Sequence, residues 1–443
     1  MALSPALIKS TVVAALGGLL FGFDTAVIAG VTGALTTRFA LTPSDLGFTV
    51  ASALVGTIIG AMTASLPGDR IGRRDSLRFM AVLYLISAIG CAIAWDWNSL
   101  VFFRLIGGLG IGGSSVLGPM YIAEIAPAKW RGRLVGFFQF NVVAGILVAY
   151  LSNYLIGLAQ LGAAEWRWKL GVAAIPAAFF FLMLFTIPRS PRWLVQKNRM
   201  EEARLALRLI GEDNIDSEIR DMVRARETER EHGKGKLFTR AHWLPVFLAV
   251  SIGAFNQLSG INAILYYLND IFAKAGFSKV SSDVQAVAIG ATNLFFTMLA
   301  MSLIDKVGRK TLLIIGSVGC SAALAGAAAI FFSGSHESLL VWLLVGFIAF
   351  FAFSQGAVIW VYISEVFPTN VRAKGQSLGS LTHWTVNAAV TYAFPVIAAK
   401  SKGGPFVFFS VMMIVQLITV IAIYPETKGA TLEEMGSRMI AHH

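Results

Sequence analysis

The chain alternates long apolar runs with short polar interruptions, and run length is the informative quantity. Twelve runs reach the ~20 residues that an α-helix needs to cross the hydrocarbon of a bilayer. They lie at 9–31, 47–66, 78–96, 101–121, 134–157, 168–187, 243–268, 284–303, 311–332, 338–361, 376–397 and 404–424. The ~10-residue alternation of a transmembrane barrel strand is absent. One extended polar region, 189–242, separates the sixth run from the seventh, and roughly two in five of its residues are charged, with mixed sign. Inside it Met200–Ile210 has helical apolar spacing, and Asp216–Arg230 carries Ile219 and Val223 at i and i+4. Both predict short amphipathic helices on the cytoplasmic face. The pattern as a whole predicts an all-α integral membrane protein of twelve transmembrane helices with a cytoplasmic helical linker.

Composition agrees. Of 443 residues, 56% are hydrophobic and 14% charged, too few charges to cover a soluble protein of this size. The net charge of +11 does not point to nucleic acid, because the basic residues gather in the loops after even-numbered spans. Those loops hold Arg70, Arg73, Arg74 and Arg78; Lys129, Arg131 and Arg133; Lys306, Arg309 and Lys310; and Arg372 and Lys374. Positive-inside bias then predicts cytoplasmic even-numbered loops and cytoplasmic termini. Cys91 and Cys320 fall within apolar runs and are expected as buried space-fillers rather than a disulfide or metal pair.

The chain also repeats itself. Asp69-Arg70-Ile71-Gly72-Arg73-Arg74 is echoed by Asp305-Lys306-Val307-Gly308-Arg309-Lys310. Tyr121-Ile122-Ala123-Glu124, followed by Arg131, is echoed by Tyr362-Ile363-Ser364-Glu365, followed by Arg372. Each motif follows the corresponding span of its half, which predicts two pseudo-symmetric six-helix halves. They cover 1–188 and 243–425, with the linker at 189–242 and a cytoplasmic tail at 426–443. Halves so related typically hold a substrate site at mid-membrane.

Polar groups inside the spans are the candidate chemistry, since each is costly in hydrocarbon without a partner. Span seven carries Asn256, Gln257, Ser259, Asn262, Tyr266 and Tyr267. All are uncharged groups that donate and accept hydrogen bonds, which suits a hydroxyl-rich neutral ligand. At about 100° per residue, Asn256, Ser259, Asn262 and Tyr266 share one sector of a continuous helix and Gln257 falls outside it. Either Gln257 faces a neighbouring helix, or the helix breaks near Leu258-Ser259-Gly260. Asp24, midway along span one, is an intramembrane carboxylate, and Arg104, at the start of span four, is its candidate partner. No nucleophile–base pair, metal set or phosphate loop is visible, so neither an enzyme nor a cofactor nor a metal is expected. The run Gly107-Gly108-Leu109-Gly110-Ile111-Gly112-Gly113 lies inside a span, where small residues allow close helix packing.

Taken together, these residues resemble the sugar porter family of the major facilitator superfamily. The motifs stand in family order: Asp69-Arg70-Ile71-Gly72-Arg73-Arg74, Arg104-Leu105-Ile106-Gly107-Gly108, Glu124 with Arg131-Gly132, Pro188-Arg189-Ser190-Pro191-Arg192-Trp193, Gln257-Leu258-Ser259-Gly260-Ile261-Asn262, Glu365 with Arg372, and Pro425-Glu426-Thr427-Lys428-Gly429. Within the family the chain is most similar to bacterial proton-coupled hexose and pentose porters. The resemblance implies a monomeric symporter in the plasma membrane, the inner membrane of a bacterium, that moves one monosaccharide with a proton by alternating access. A facilitative uniporter and a transporter-like sugar receptor are the alternatives.

The resemblance implies a sugar site of Gln139, Asn256, Gln257, Asn262, Tyr266, Asn293, Gly356, Trp360, His383, Trp384 and Asn387, with a discontinuous span seven that favours the break over a neighbouring helix. Gly356, one turn before Trp360, is expected to leave that side of its helix open for a ligand or a bend. The resemblance assigns proton coupling to Asp24 and Arg104, and a cytoplasmic gate to Asp69, Arg73, Glu124, Arg131, Asp305, Arg309, Glu365 and Arg372. Three positions depart from the family pattern. Asn256 stands where Gln is usual. His383 stands where Gln or Asn is usual, and is expected to contact sugar as a neutral imidazole, with a structural cap or a part in proton coupling as alternatives. Arg189 replaces a Glu, so the first half is expected to lack one acid of its charge network.

Overall fold

The computed structural model describes residues 3–127, 129–212, 214–231, 236–368 and 371–428. Most of the expected tail, 429–443, lies outside them. The described elements are helices: α1 (Pro5–Val27), α2 (Thr32–Phe39), α3 (Pro43–Thr63), α4 (Ser65–Ile71), α5 (Arg73–Ile93), α6 (Trp97–Ile125), α7 (Arg131–Leu158), α8 (Glu165–Gly171), α9 (Ala174–Met183), α10 (Pro191–Gln196), α11 (Met200–Ile210), α12 (Ile215–Glu231), α13 (Trp243–Leu258), α14 (Ile261–Tyr266), α15 (Leu268–Lys274), α16 (Lys279–Val307), α17 (Arg309–Ser333), α18 (Ser338–Phe353), α19 (Gln355–Val366), α20 (Arg372–Lys400) and α21 (Gly404–Ile423), with short 3-10 turns between some of them.

Eleven helical stretches among the described residues are long and apolar enough to cross a membrane. The twelfth expected span coincides with α20, a single helix of 29 residues. Its polar positions, among them Gln376, Thr382, His383 and Asn387, dilute its hydropathy, and several of them belong to the candidate site. Three spans are interrupted where the backbone cannot continue a helix. The stretch Gly162–Met183 breaks between α8 and α9, where Pro176 has no N–H to return to Val172.

The residues group into two compact units. One comprises Met1–Asp24, Val55–Ala149 and Ala164–Gly233; the other comprises Thr25–Leu54, Tyr150–Ala163 and Lys234–His443. In the first, helices approach closely through glycine. A Cβ at Gly112 would lie 2.1 Å from the Thr57 carbonyl oxygen, and one at Gly22 would collide with that of Val142. The glycine run of span four is therefore a packing surface, as its place inside a span predicts. The linker helices turn their apolar faces into the core of this unit: Trp193, Leu194 and Val195 of α10, Ala203, Ala206, Leu207 and Ile210 of α11, and Ile219 and Met222 of α12 are buried. In the second unit α13 packs on α20, and α17 packs between α18 and α21. Tyr362, Phe367 and Tyr424 are fully buried in its core.

The repeated motif has a local cause in each unit. Gly72 (φ +94°) and Gly308 (φ +100°) precede α5 and α17. Only glycine adopts that conformation without strain, so each helix restarts sharply after the preceding one.

Candidate functional site

In the second unit the chain of span seven breaks where its polar residues collect. α13 ends at Leu258, Gly260 turns with φ +82°, and α14 begins at Ile261. The Ser259 hydroxyl donates to the Asn256 carbonyl at 2.6 Å, and Ile261 N–H donates to Ser259 Oγ at 3.3 Å. A Cβ at Gly260 would meet the Phe409 ring at 2.2 Å, so space as well as φ requires glycine there. The break brings Gln257 onto the face of Asn262, which donates from Nδ2 to Gln257 Oε1 at 3.1 Å. Gln257 Nε2 donates to Asn256 Oδ1 at 3.0 Å and lies 3.2 Å from His383 Nε2. A ring nitrogen that accepts from this amide carries no proton, which fits the neutral imidazole expected of His383.

Other elements complete the cluster within the same unit. Asn256 Nδ2 donates to the carbonyl of Gln355 at 3.4 Å. The Trp360 and Trp384 rings flank His383, with centroids at 5.1 and 5.0 Å. Asn387 Nδ2 donates to the Tyr266 hydroxyl at 3.5 Å, and Asn387 Oδ1 accepts from the Thr391 hydroxyl at 3.1 Å. Asn293 is buried on α16 and accepts from Thr297 at 3.4 Å. Gln139 stands partly buried on α7, in the first unit. Near Gly356 the span bends, one of the two uses expected of that glycine. The bend of span ten falls two residues earlier, at Ser354 (φ −119°, ψ −87°), and Phe351 fills the space beside Gly356, 3.3 Å from where a Cβ would be. Phe351, from the end of α18, is therefore the neighbour that any side chain at this position would meet. Gln355, at the bend, had no motif to mark it; a second carboxamide beside a span glycine was its signal.

In the first unit Arg104 sits two turns inside α6 rather than at its start, because α6 begins at Trp97 under an Asp96–Ser99 capping box. It is 4% exposed, and its Nη2 lies 4.0 Å from Asp24 Oδ2. This is an ion pair at the edge of contact, with no direct hydrogen bond at that distance.

The repeated charges form a matched knot in each unit. Arg73 binds Glu124 at 2.9 Å and Asp69 at 3.0 Å; Arg309 binds Glu365 at 2.8 Å and Asp305 at 2.9 Å. A hydroxyl completes each: Ser190 donates to Glu124 at 2.5 Å, and Thr427 to Glu365 at 2.6 Å. Arg131 and Arg372 reach backbone carbonyls, of Ala123 and Ala126 in one case and Phe367 in the other. The acid expected to be missing from the first half is present after all. Asp75 of α5 takes Arg189 at 2.9 Å, Arg74 at 3.0 Å and Arg78 at 2.7 Å. No motif marks the Asp75–Arg189 pair, because the two lie 114 positions apart.

Comparison with known proteins is consistent over the whole length. The family model described as "Sugar (and other) transporter" matches residues 10–438. The D-xylose-proton symporter of Escherichia coli (strain K12) is 35% identical, over 96% of this chain and 94% of that protein. The arabinose-proton symporter of Bacillus subtilis (strain 168) is 35% identical, over 95% and 92%. The inward open conformation of the xylose transporter XylE from E. coli superposes with a TM-score of 0.87 at 35% identity, covering 98% of this chain and 99% of that one. The chain therefore belongs to the sugar (and other) transporter family, the sugar porters of the major facilitator superfamily, and is a multi-pass membrane protein.

Proposed function

We propose that this protein moves a monosaccharide, a pentose or a glucose-like hexose, into the cell together with a proton by alternating access. The observation that carries the sugar half is the broken span seven, whose Ser259-Gly260 turn faces Gln257 and Asn262 onto each other beside His383 and Trp360. Amides that donate to one hydroxyl and accept from another, next to an indole face, match the edges and C–H faces of a sugar ring. Asn256, Tyr266, Asn293, Gly356, Trp384, Asn387 and Gln139 are the further sugar-site residues in this assignment. Relatives named for D-xylose and arabinose support a pentose among the substrates.

Proton coupling is assigned to Asp24 and Arg104. A carboxylate beside a guanidinium holds its charge while paired and takes a proton when the two separate. A separation already at 4.0 Å favours a pair that exchanges, over a permanent salt bridge. Asp69, Arg73, Glu124, Arg131, Asp305, Arg309, Glu365 and Arg372 are assigned to a gate on the cytoplasmic side, where the termini also lie; several modest pairs together bias a two-state equilibrium. The proposed working unit is a monomer in the plasma membrane, built of halves 1–188 and 243–425 around the linker 189–242.

Uptake by proteoliposomes across a sugar panel, with and without a proton gradient, tests this assignment. Gradient-driven accumulation with alkalinisation of the medium is the expected result, and gradient-independent equilibration would favour a uniporter. Asp24→Asn is expected to lose accumulation and keep counterflow exchange. Undiminished accumulation in that variant would sink the proton role.

A further inference from the structure

A second acidic group stands on α15. α15 follows the apolar span Trp243–Tyr266 and packs, within the second unit, on α16 and on the 3-10 turn Ile28–Gly30 that ends span one. Asp270 stands in its first turn. The residue keeps a partly exposed edge, but its Oδ2 is sealed from solvent and accepts no hydrogen bond among the described residues. Thr32, at the start of α2, stands beside the carboxyl group and favours its ionised form, while its hydroxyl donates to the Ala29 carbonyl at 3.3 Å. A carboxylate with one oxygen sealed and unpartnered is a poor place for negative charge and a good place for a proton.

The same end of the unit is held by contacts that tie span seven to other spans. The Tyr150 hydroxyl donates to Leu265 O at 2.8 Å, Tyr267 donates to Thr391 O at 3.1 Å, and Asn269 of α15 donates to Asp283 of α16 at 2.5 Å. Gly30 comes so close to Asn153 that a Cβ there would lie 2.4 Å from its Nδ2. α15 is thus a wedge seated on the end of span one, with a sealed carboxyl oxygen in the seat.

We propose that Asp270 is a second proton-binding site, which couples closure of this end of the transporter to acidity on that side. The proposal rests on the alternating-access function above, in which this end is the outer one. Protonated, Asp270 is neutral and the seat is stable; ionised, it favours the open arrangement in which the carboxylate is hydrated. Protons from outside therefore help close the outer end after loading.

The charges around Asp270 are few. Lys274, on the same helix, favours its ionised form and is itself held down by burial and by Lys402. α16 contributes Asp283, paired with Asn269, and Lys279 at its start. α14 and the 3-10 turn contribute no charged residue, and α2 only Arg38, in its last turn over Phe39. Burial outweighs Lys274 and Thr32 and pushes the carboxyl up from 3.8 to about 6. The sign follows from that rise. Closure is strongest below the ordinary carboxylate value, weakens as pH rises toward 6, and is flat above it, with a full span of roughly a hundredfold in the closing equilibrium.

Full-length protein in right-side-out proteoliposomes tests this without sugar. A cysteine at Ala29, buried under α15, is labelled by a membrane-impermeant maleimide between pH 4 and 7. Rates are normalised to a cysteine at Gly33, an exposed position with open space around it, which removes the intrinsic pH dependence of the thiol. The expected result is slow labelling at acid pH, rising up to about a hundredfold toward neutrality. Asp270→Asn is expected to hold the slow acid rate at every pH. Thr32→Val, which removes a hydroxyl that favours the ionised form, is expected to move the midpoint upward. An unchanged pH profile in Asp270→Asn, an unmoved midpoint in Thr32→Val, or an Ala29 cysteine unreactive at every pH overturns the proposal. Failed sugar uptake with the pH profile intact would instead count against the transport function.

Discussion

The two charge knots are built on one motif and solve one problem in opposite ways. Both α5 and α17 restart after a left-handed glycine, and both expose backbone N–H groups at their first turn. In the second unit Glu426 caps α17 directly, accepting from the backbone N–H of Arg309 at 2.9 Å and of Lys310 at 3.0 Å, and from those of Thr427 and Lys428. In the first unit the matching position is Arg189, and the acid sits in α5 as Asp75, where α17 has Thr311. Arg189 then reaches inward to Asp75, while Arg74 and Arg78 hold the carbonyls of Ile187 and Leu184. Arg78 also lies over the Phe185 ring at 4.0 Å. What persists is a carboxylate at the N-terminal end of the restarted helix, where the helix dipole favours it, and a tether to the end of the last span of the half. Which strand of the tether carries the acid is interchangeable.

The comparison breaks most easily at its shared centre. Arg73→Ala and Arg309→Ala each leave a largely buried glutamate without its cation, and each should cost about 3–5 kcal/mol, read as a lowered unfolding midpoint in detergent. A cost near the ~0–1 kcal/mol of an exposed pair in either unit would end the equivalence of the two knots.

The next test separates them. Glu426→Ala removes four charge-assisted bonds to backbone N–H groups and should lower stability by roughly 2–3 kcal/mol. Arg189→Ala removes one of three cations from Asp75 and is 31% exposed as a side chain, so about 1 kcal/mol is expected. Equal losses in the two variants would mean that the caps do not differ as described.

The smallest effect is the most discriminating. Arg189→Glu alone places like charges beside Asp75 and should destabilise. Combined with Asp75→Thr it recreates the arrangement of the second unit and should return to within about 1 kcal/mol of the parent, since neighbouring charges are non-additive. A double variant no better than Arg189→Glu would show that the acid cannot be moved.

Much of the candidate site was legible beforehand. Gln257 falls off the polar face of a continuous helix, which leaves a neighbouring helix or a break open, and the family resemblance favours the break that stands at Ser259-Gly260. The repeat paired Arg73 with Arg309 and Glu124 with Glu365. Other features left no local trace. The bend at Ser354 has no proline to announce it. Asp75 lies in a basic loop that looks like a topology signal. Its meeting with Arg189 depends on how spans three and six pack, which no local spacing encodes.

Sequence by itself determined the number of apolar spans, the internal repeat, the family and the residue types that suit a sugar and a proton. Those follow from hydrophobic thickness, periodicity and the cost of polar groups in hydrocarbon, all of which act along the chain. Only the tertiary structure decided which carboxylate holds Arg189, that Phe351 closes the space beside Gly356, and that Asp270 has an oxygen sealed under the end of span one. Those depend on which side chains meet across helices, because the cost of a buried charge or a filled gap is set by neighbours distant in sequence.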